Sequence, residues 1–178
     1  MTLTVKRPET RVPFCLDGDL KAEHEAAEAE YASINTRRLA DDRLNSQARD
    51  HAQKVVDLEE RMKEATVTFV LRGLPRGEWG QLTAEHGPRE GNATDKAYNF
   101  NVEAVMGVAI PKSIVGVENS KGEALPFNPT DEWNTLADDM TNSQYEDFVL
   151  AVLRVNAGRN DVPFSLSAFR MTQSSEQM

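Results

Sequence analysis

LKAEHEAAEAEYASINTRRLADDRLNSQARDHAQKVVDLEERMKEA, residues 20–65, contains neither proline nor glycine and is dominated by Ala, Glu, Arg, Lys and Gln, all strong helix formers. How this stretch folds decides the architecture. Leu20, His24, Ala27, Tyr31 and Ile34 recur in alternating steps of four and three, and so do Leu44, Ala48, His51, Val55, Leu58, Met62 and Ala65. Continuing the first stripe at the same steps would put Arg38, Asp41 and Asn45 where apolar residues are wanted, so the pattern breaks around Ser33–Thr36. Two readings remain: one long helix whose apolar face rotates at the break, or an antiparallel hairpin turning near residues 35–41. The hairpin is favoured because two weak stripes then bury each other, although no Gly or Pro marks a turn.

Moving outward toward the N-terminus, Asp17-Gly-Asp19 supplies an N-cap, since an Asp side chain accepts from the free N–H groups of a first helical turn. Before it, residues 1–16 carry Pro8 and Pro13 and no sustained period, which predicts an extended arm ending in the apolar cluster Val12, Phe14 and Leu16. On the C-terminal side, TVTFVLRGL is rich in β-branched and aromatic residues and predicts a short strand ended by Gly73. Pro75 then opens a short helix with Trp79 and Leu82 on one face, and residues 89–99 are expected to form a polar loop. Val102, Val105, Met106, Ala109 and Ile110 predict an amphipathic helix over residues 101–110, stopped before Pro111. Two apolar stubs around Asn119–Gly122 suggest a hairpin. A helix from residue 131 to about 140 carries Trp133, Leu136, Ala137 and Met140. The next, capped by Thr141, Asn142 or Ser143, carries Tyr145, Phe148, Val149, Val152 and Val155 until Gly158, and the pair is expected to pack as an αα-hairpin around Trp133 and Phe148.

The expected fold is therefore mainly α. An N-terminal arm (1–16) leads into a long charged helix or helical hairpin (17–65), a compact helical module with one or two short strands (66–160), and a tail (161–178) whose last residues should be disordered. VPF at residues 162–164 echoes VPF at residues 12–14.

Composition narrows the function. A net charge of −9 argues against non-specific nucleic-acid binding, which depends on Lys and Arg neutralising phosphates. Cys15 is the only cysteine, so no internal disulfide is available and a reducing compartment is expected. No run of 18 apolar residues and no signal-like N-terminus occurs, so a soluble, cytoplasmic, membrane-free protein is expected. The three histidines, His24, His51 and His86, have no second His or Cys three or four residues away, which disfavours zinc. Phosphate-cradling, dinucleotide-binding and nucleophile-elbow motifs are missing, and the carboxylate pairs Asp41-Asp42, Glu59-Glu60 and Asp138-Asp139 point about 100° apart on a helix rather than sharing a proton. The expectation is a non-enzyme without metal or cofactor. One concentration stands out: Asp131, Glu132, Asp138, Asp139, Glu146 and Asp147 occur with no intervening Lys or Arg, as a solubilising face or a docking patch for a basic partner.

The order of elements resembles the tail assembly chaperones of long-tailed actinobacterial phages. The likeness is carried by VPFCLDGDLKAEHEAAEAEY, by DLEERMKEATVTFVLRGLPRGEWGQLTAEHGPR, by FNVEAVMGVAI, by DEWNTLADDMTNSQYEDFVLAVLRVNAG and by VPFSLSAF, over most of residues 11–169. It implies a protein that binds and solubilises the helical tape measure protein and helps recruit the major tail tube protein in the host cytoplasm. It further implies absence from the mature virion and a longer frameshifted form, of which this chain is the shorter version and to which it could bind. The other expectation is a structural or scaffold subunit of the particle using the same helices. Leu44, Val55, Leu58 and Met62 of the second stripe, with Asp138 and Asp139, are the expected partner-binding residues.

Overall fold

A computed structural model describes residues 4–38 and 45–158. The expectations for Leu44, for residues 39–41 of the turn expected near 35–41, and for the tail beyond Gly158 lie outside the described residues, while residues 35–38 of that turn are still helical, in α1. In chain order the elements are β1 (Glu9–Cys15), α1 (Gly18–Arg38), α2 (Asn45–Glu64), β2 (Thr66–Arg72), α3 (Arg76–Glu85), α4 (Ala93–Tyr98), α5 (Val102–Ser113), β3 (Ile114–Glu118), β4 (Ala124–Leu125), α6 (Pro129–Asp138) and α7 (Asn142–Ala157). The chain is mostly helical, as expected, but its sheet has four antiparallel strands in the order β1-β2-β3-β4 rather than one or two.

The additional strand that matters most is the N-terminal one. Residues 9–15 are not a loose arm: they pair along their whole length with β2, from Glu9 opposite Arg72 to Cys15 opposite Thr66. Local pattern hid this because Pro13 lacks the N–H that a ladder needs. The register shows why it is tolerated. Gly73 N–H donates to the Pro8 carbonyl and Leu16 N–H to the Ala65 carbonyl, both at 3.0 Å, so alternation turns Thr10, Val12 and Phe14 backbone groups toward β2. Pro13 therefore presents its missing donor to the open edge, where it blunts the strand against pairing with other chains. Pro8 has no N–H to return to the Gly73 carbonyl, and the Arg7 guanidinium donates to the Gly73 carbonyl in its place, at 2.8 Å.

Between Cys15 and Thr66, where a tight turn would ordinarily sit, the chain inserts α1 and α2. They pack against each other, and cross-helix pairs His24–Glu59 (3.6 Å), His51–Glu30 (3.5 Å) and Arg61–Glu23 (3.6 Å) show that they run antiparallel. The hairpin reading of residues 20–65 holds. Leu20 and Ala27 of α1 meet Val55 and Leu58 of α2 in a small core of their own, flanked by Tyr31, Met62 and Ala65. Asp17 caps α1 as expected, its carboxylate accepting from Asp19 and Leu20 N–H groups.

The main core lies between one face of the sheet and α5, α6 and α7. Strand alternation sends Val12, Val67, Phe69, Leu71 and Val117 to that face. The opposite face carries the ion pairs Arg11–Glu118 and Arg72–Glu9. Phe69 sits at the centre of an aromatic cluster, with ring centroids 5.2 Å from Phe148, 5.4 Å from Phe127 and 6.3 Å from both Phe14 and Trp133. Trp133 and Phe148 meet as expected, 4.9 Å apart, but α6 and α7 do not lie along each other as the expected αα-hairpin; each packs on α5 instead. Thr141 forms a capping box with Gln144 at the start of α7.

Two helix expectations need correction. The segment 89–99 is not all loop, because Asn92 caps the short helix α4 through the Asp95 N–H. Helix α5 does not stop before Pro111 but runs to Ser113. The carbonyl that Pro111 leaves without a donor belongs to the exposed Gly107, where water can satisfy it and no side chain crowds the ring. Ser113, at the end of α5, is fully buried, and its hydroxyl has no hydrogen-bond partner. Ser113→Ala should therefore leave the fold intact and raise stability by roughly 1 kcal/mol, read as a higher urea midpoint at unchanged slope.

Candidate functional site

Helix α6 flanks the end of the sheet nearest the helical hairpin, and between them lies an open groove of about 490 Å³. Its apolar lining comes from four distant parts of the chain: Leu16, then Val67 and Phe69 of β2, then Val117 through Leu125 to Phe127, and Leu136 of α6. No short window of sequence contains it. The groove continues past Leu16, Leu136 and Asp139 into a second hollow of about 520 Å³ bounded by Phe14, Gly18, Lys21 and the Met140–Gln144 turn. Leu16, 58% exposed, and Leu125, 37% exposed, leave apolar surface uncovered at this place.

One wall is acidic. Asp131, Glu132, Thr135, Leu136 and Asp139 line the groove from α6, and their spacing of three and four puts them on one helix face. Asp131 and Glu132 accept from Asn128, the N-cap residue, through its side-chain amide and its backbone N–H respectively. Their local role in starting the helix is thus clear, yet none of Asp131, Glu132 and Asp139 pairs with a Lys or Arg among the described residues. Among the described residues, Lys21 is the single cation along the combined lining.

The expected partner-binding residues separate into two groups. Asp139 is part of the groove, and Asp138 is exposed beside it. Val55 and Leu58 are buried against α1 and Met62 is partly buried beside them, so the second stripe is occupied within the chain rather than left for a partner. The cause of that burial is plain: the hairpin sets the described part of each stripe against the other. Leu16, Leu125 and Phe127 were not singled out by sequence reasoning as partner-binding, and the only signal for any of them was Leu16 in the cluster Val12, Phe14, Leu16.

Other polar clusters serve structure. Asp95, 0% exposed, accepts from the Arg89 guanidinium at 2.6 Å and from the Arg89 and Val102 backbone N–H groups at 3.1 Å. The Arg89 hydrogen bond, against the opposing effect of desolvation and with help from the backbone donors, holds the Asp95 carboxyl down to about 2. A depressed carboxyl contributes stability that is present above the ordinary Asp range and is lost as pH falls through the folded value. The wild type should therefore exceed Asp95→Asn in melting temperature at neutral pH, and the gap should narrow as pH drops from about 4 to about 2. Thermal melts across that range check it, and a gap independent of pH would rule it out. Among the described residues no three His, Cys, Asp or Glu side chains gather as a metal set, and no helix is long and apolar enough to cross a membrane.

No protein-family model matches the chain, and no curated protein and no solved structure matches it.

Proposed function

We propose that this chain is a tail assembly chaperone of a long-tailed phage, which binds the tape measure protein, keeps it soluble and helps bring tail tube subunits to it. The reading is supported by the ordered likeness of the segments quoted above and, above all, by the groove beside α6, whose apolar floor and acidic rim suit reversible protein binding. The partners are the tape measure protein, the major tail protein and the chain's own longer form, met in the host cytoplasm and left behind when the virion is complete. No catalysis, metal or cofactor is invoked.

Co-expression tests the reading. The tape measure protein of the same phage should be insoluble when made alone, and should move to the soluble fraction and co-purify when this chain is made with it. A tape measure protein equally soluble with and without the chain would refute the proposal. Recovery of the chain in stoichiometric amounts from purified particles would instead favour a structural subunit. At the nucleotide level, a slippery heptamer near the last codons with an overlapping −1 frame is expected.

A further inference from the structure

We propose that the groove beside α6 is the seat of an amphipathic helical segment of the partner whose apolar face is flanked by Lys or Arg side chains about 10–12 Å apart, an inference that rests on the chaperone reading. Three observations carry it. The exposed side chains of Leu16 and Leu125 and the half-buried Phe127 converge on one floor, which selects an apolar face rather than a polar peptide. The carboxylates of Glu132 and Asp139 stand seven residues apart on one face of α6, and Asp131 and Asp139 eight, so a helix lying alongside would match them with cations at the same period. The sheet's long open edge is blunted by Pro13, so strand addition there is disfavoured.

Charge also sets the direction of preference. Among the described residues the wall's three carboxylates have no Lys or Arg partner, and the one cation of the lining, Lys21, lies at the far end near Gly18. An acidic segment would be repelled along most of the groove, and a basic one attracted. Asp139 stands between the negative C-terminal end of α6 and the positive N-terminal end of α7, whose effects on it oppose each other. Reversing its charge should thus leave the free chain folded while changing what it binds.

The test uses the full chain and two synthetic helical peptides with the same leucine face, one flanked by lysines seven residues apart and its twin by glutamates. Fluorescence anisotropy should show the lysine peptide binding roughly tenfold or more tighter than the glutamate twin, with the advantage shrinking as salt rises. Asp139→Lys, which leaves the Asn128 cap of α6 intact, should narrow or invert that preference at an unchanged circular dichroism spectrum. Leu125→Asp, at an exposed position, should weaken binding of both peptides. Equal binding of the two peptides, or a preference untouched by the charge reversal, would overturn the proposal. So would a wild-type dimer in sedimentation that Leu125→Asp abolishes, which would give the groove to a second copy. Tighter peptide binding by a chain carrying Phe164→Ser and Leu166→Ser would likewise overturn it and assign the groove to residues 159–178. If the tape measure protein is solubilised but the peptides do not discriminate, the inference fails and the chaperone reading stands; the reverse result leaves a basic-helix receptor that is not this chaperone.

Discussion

Phe69→Ala should destabilise the protein by about 3–5 kcal/mol, the cost of emptying a large aromatic site in a core that only partly collapses around the void. Phe69 is 2% exposed and touches Phe14, Phe127, Trp133 and Phe148, which come from β1, from the loop before α6, from α6 and from α7. No other ring links so many separate elements. Because total stabilities run at about 5–15 kcal/mol, the loss should lower the thermal midpoint by roughly 10 °C or more. Phe69→Leu should cost much less, since it keeps most of the volume and forfeits mainly the edge-to-face geometry, about 0.5–1.5 kcal/mol. Chemical denaturation of the two variants separates filling from ring geometry. A small, equal effect for both would mean that the cluster is not a cooperative core.

Leu58→Asp should act locally and severely. Leu58, 4% exposed, belongs to a helical-hairpin core of four buried residues, and an unpaired carboxylate placed there costs several kcal/mol. So small a core has little in reserve, so α1 and α2 should open while the sheet and α5–α7 stay folded. Hydrogen exchange is the direct measurement: amides of residues 18–38 and 45–64 should lose protection, and those of β2 and α5 should keep it. Protection lost evenly throughout would show the hairpin and the sheet module to be one cooperative unit. Unchanged protection in α2 would show that the stripe is not packed.

The contrast between these two sites marks what could be read in advance. The stripes over residues 20–65, the strand at residues 66–72, and the helices built on Trp79, Val105, Trp133 and Phe148 are local periodicities, and local periodicity survives into the structure because each element buries its own apolar face. Three things were not local. The pairing of residues 9–15 with residues 66–72 joins segments separated by the entire helical hairpin, and Pro13 disguises it. The short helix α4 rests on the Asn92 cap and on the Asp95–Arg89 cluster rather than on an apolar stripe. The groove is assembled from Leu16, β2, the loop to Phe127 and α6, and only its acidic wall, contiguous in sequence, could be noticed beforehand. Val55 and Leu58, buried against α1, mark the complementary limit: periodicity identifies a sticky face without saying whether the chain itself covers it.

Cys15 and Thr66 face each other across β1 and β2, so the whole excursion through α1 and α2 leaves and returns at one point of the sheet. Its span can therefore be trimmed or extended by matched turns of both helices without disturbing any strand, much as a telescoping mast changes height on a fixed base. A variant in which residues 17–64 are replaced by Asn-Gly, which keeps the hydrogen-bonded Leu16–Ala65 pair, should retain the β1–β2 ladder as an ordinary two-residue hairpin. The reach of this mast and the grip of the groove at its foot are then separately adjustable so long as the base of α1, with Gly18 and Lys21, is kept.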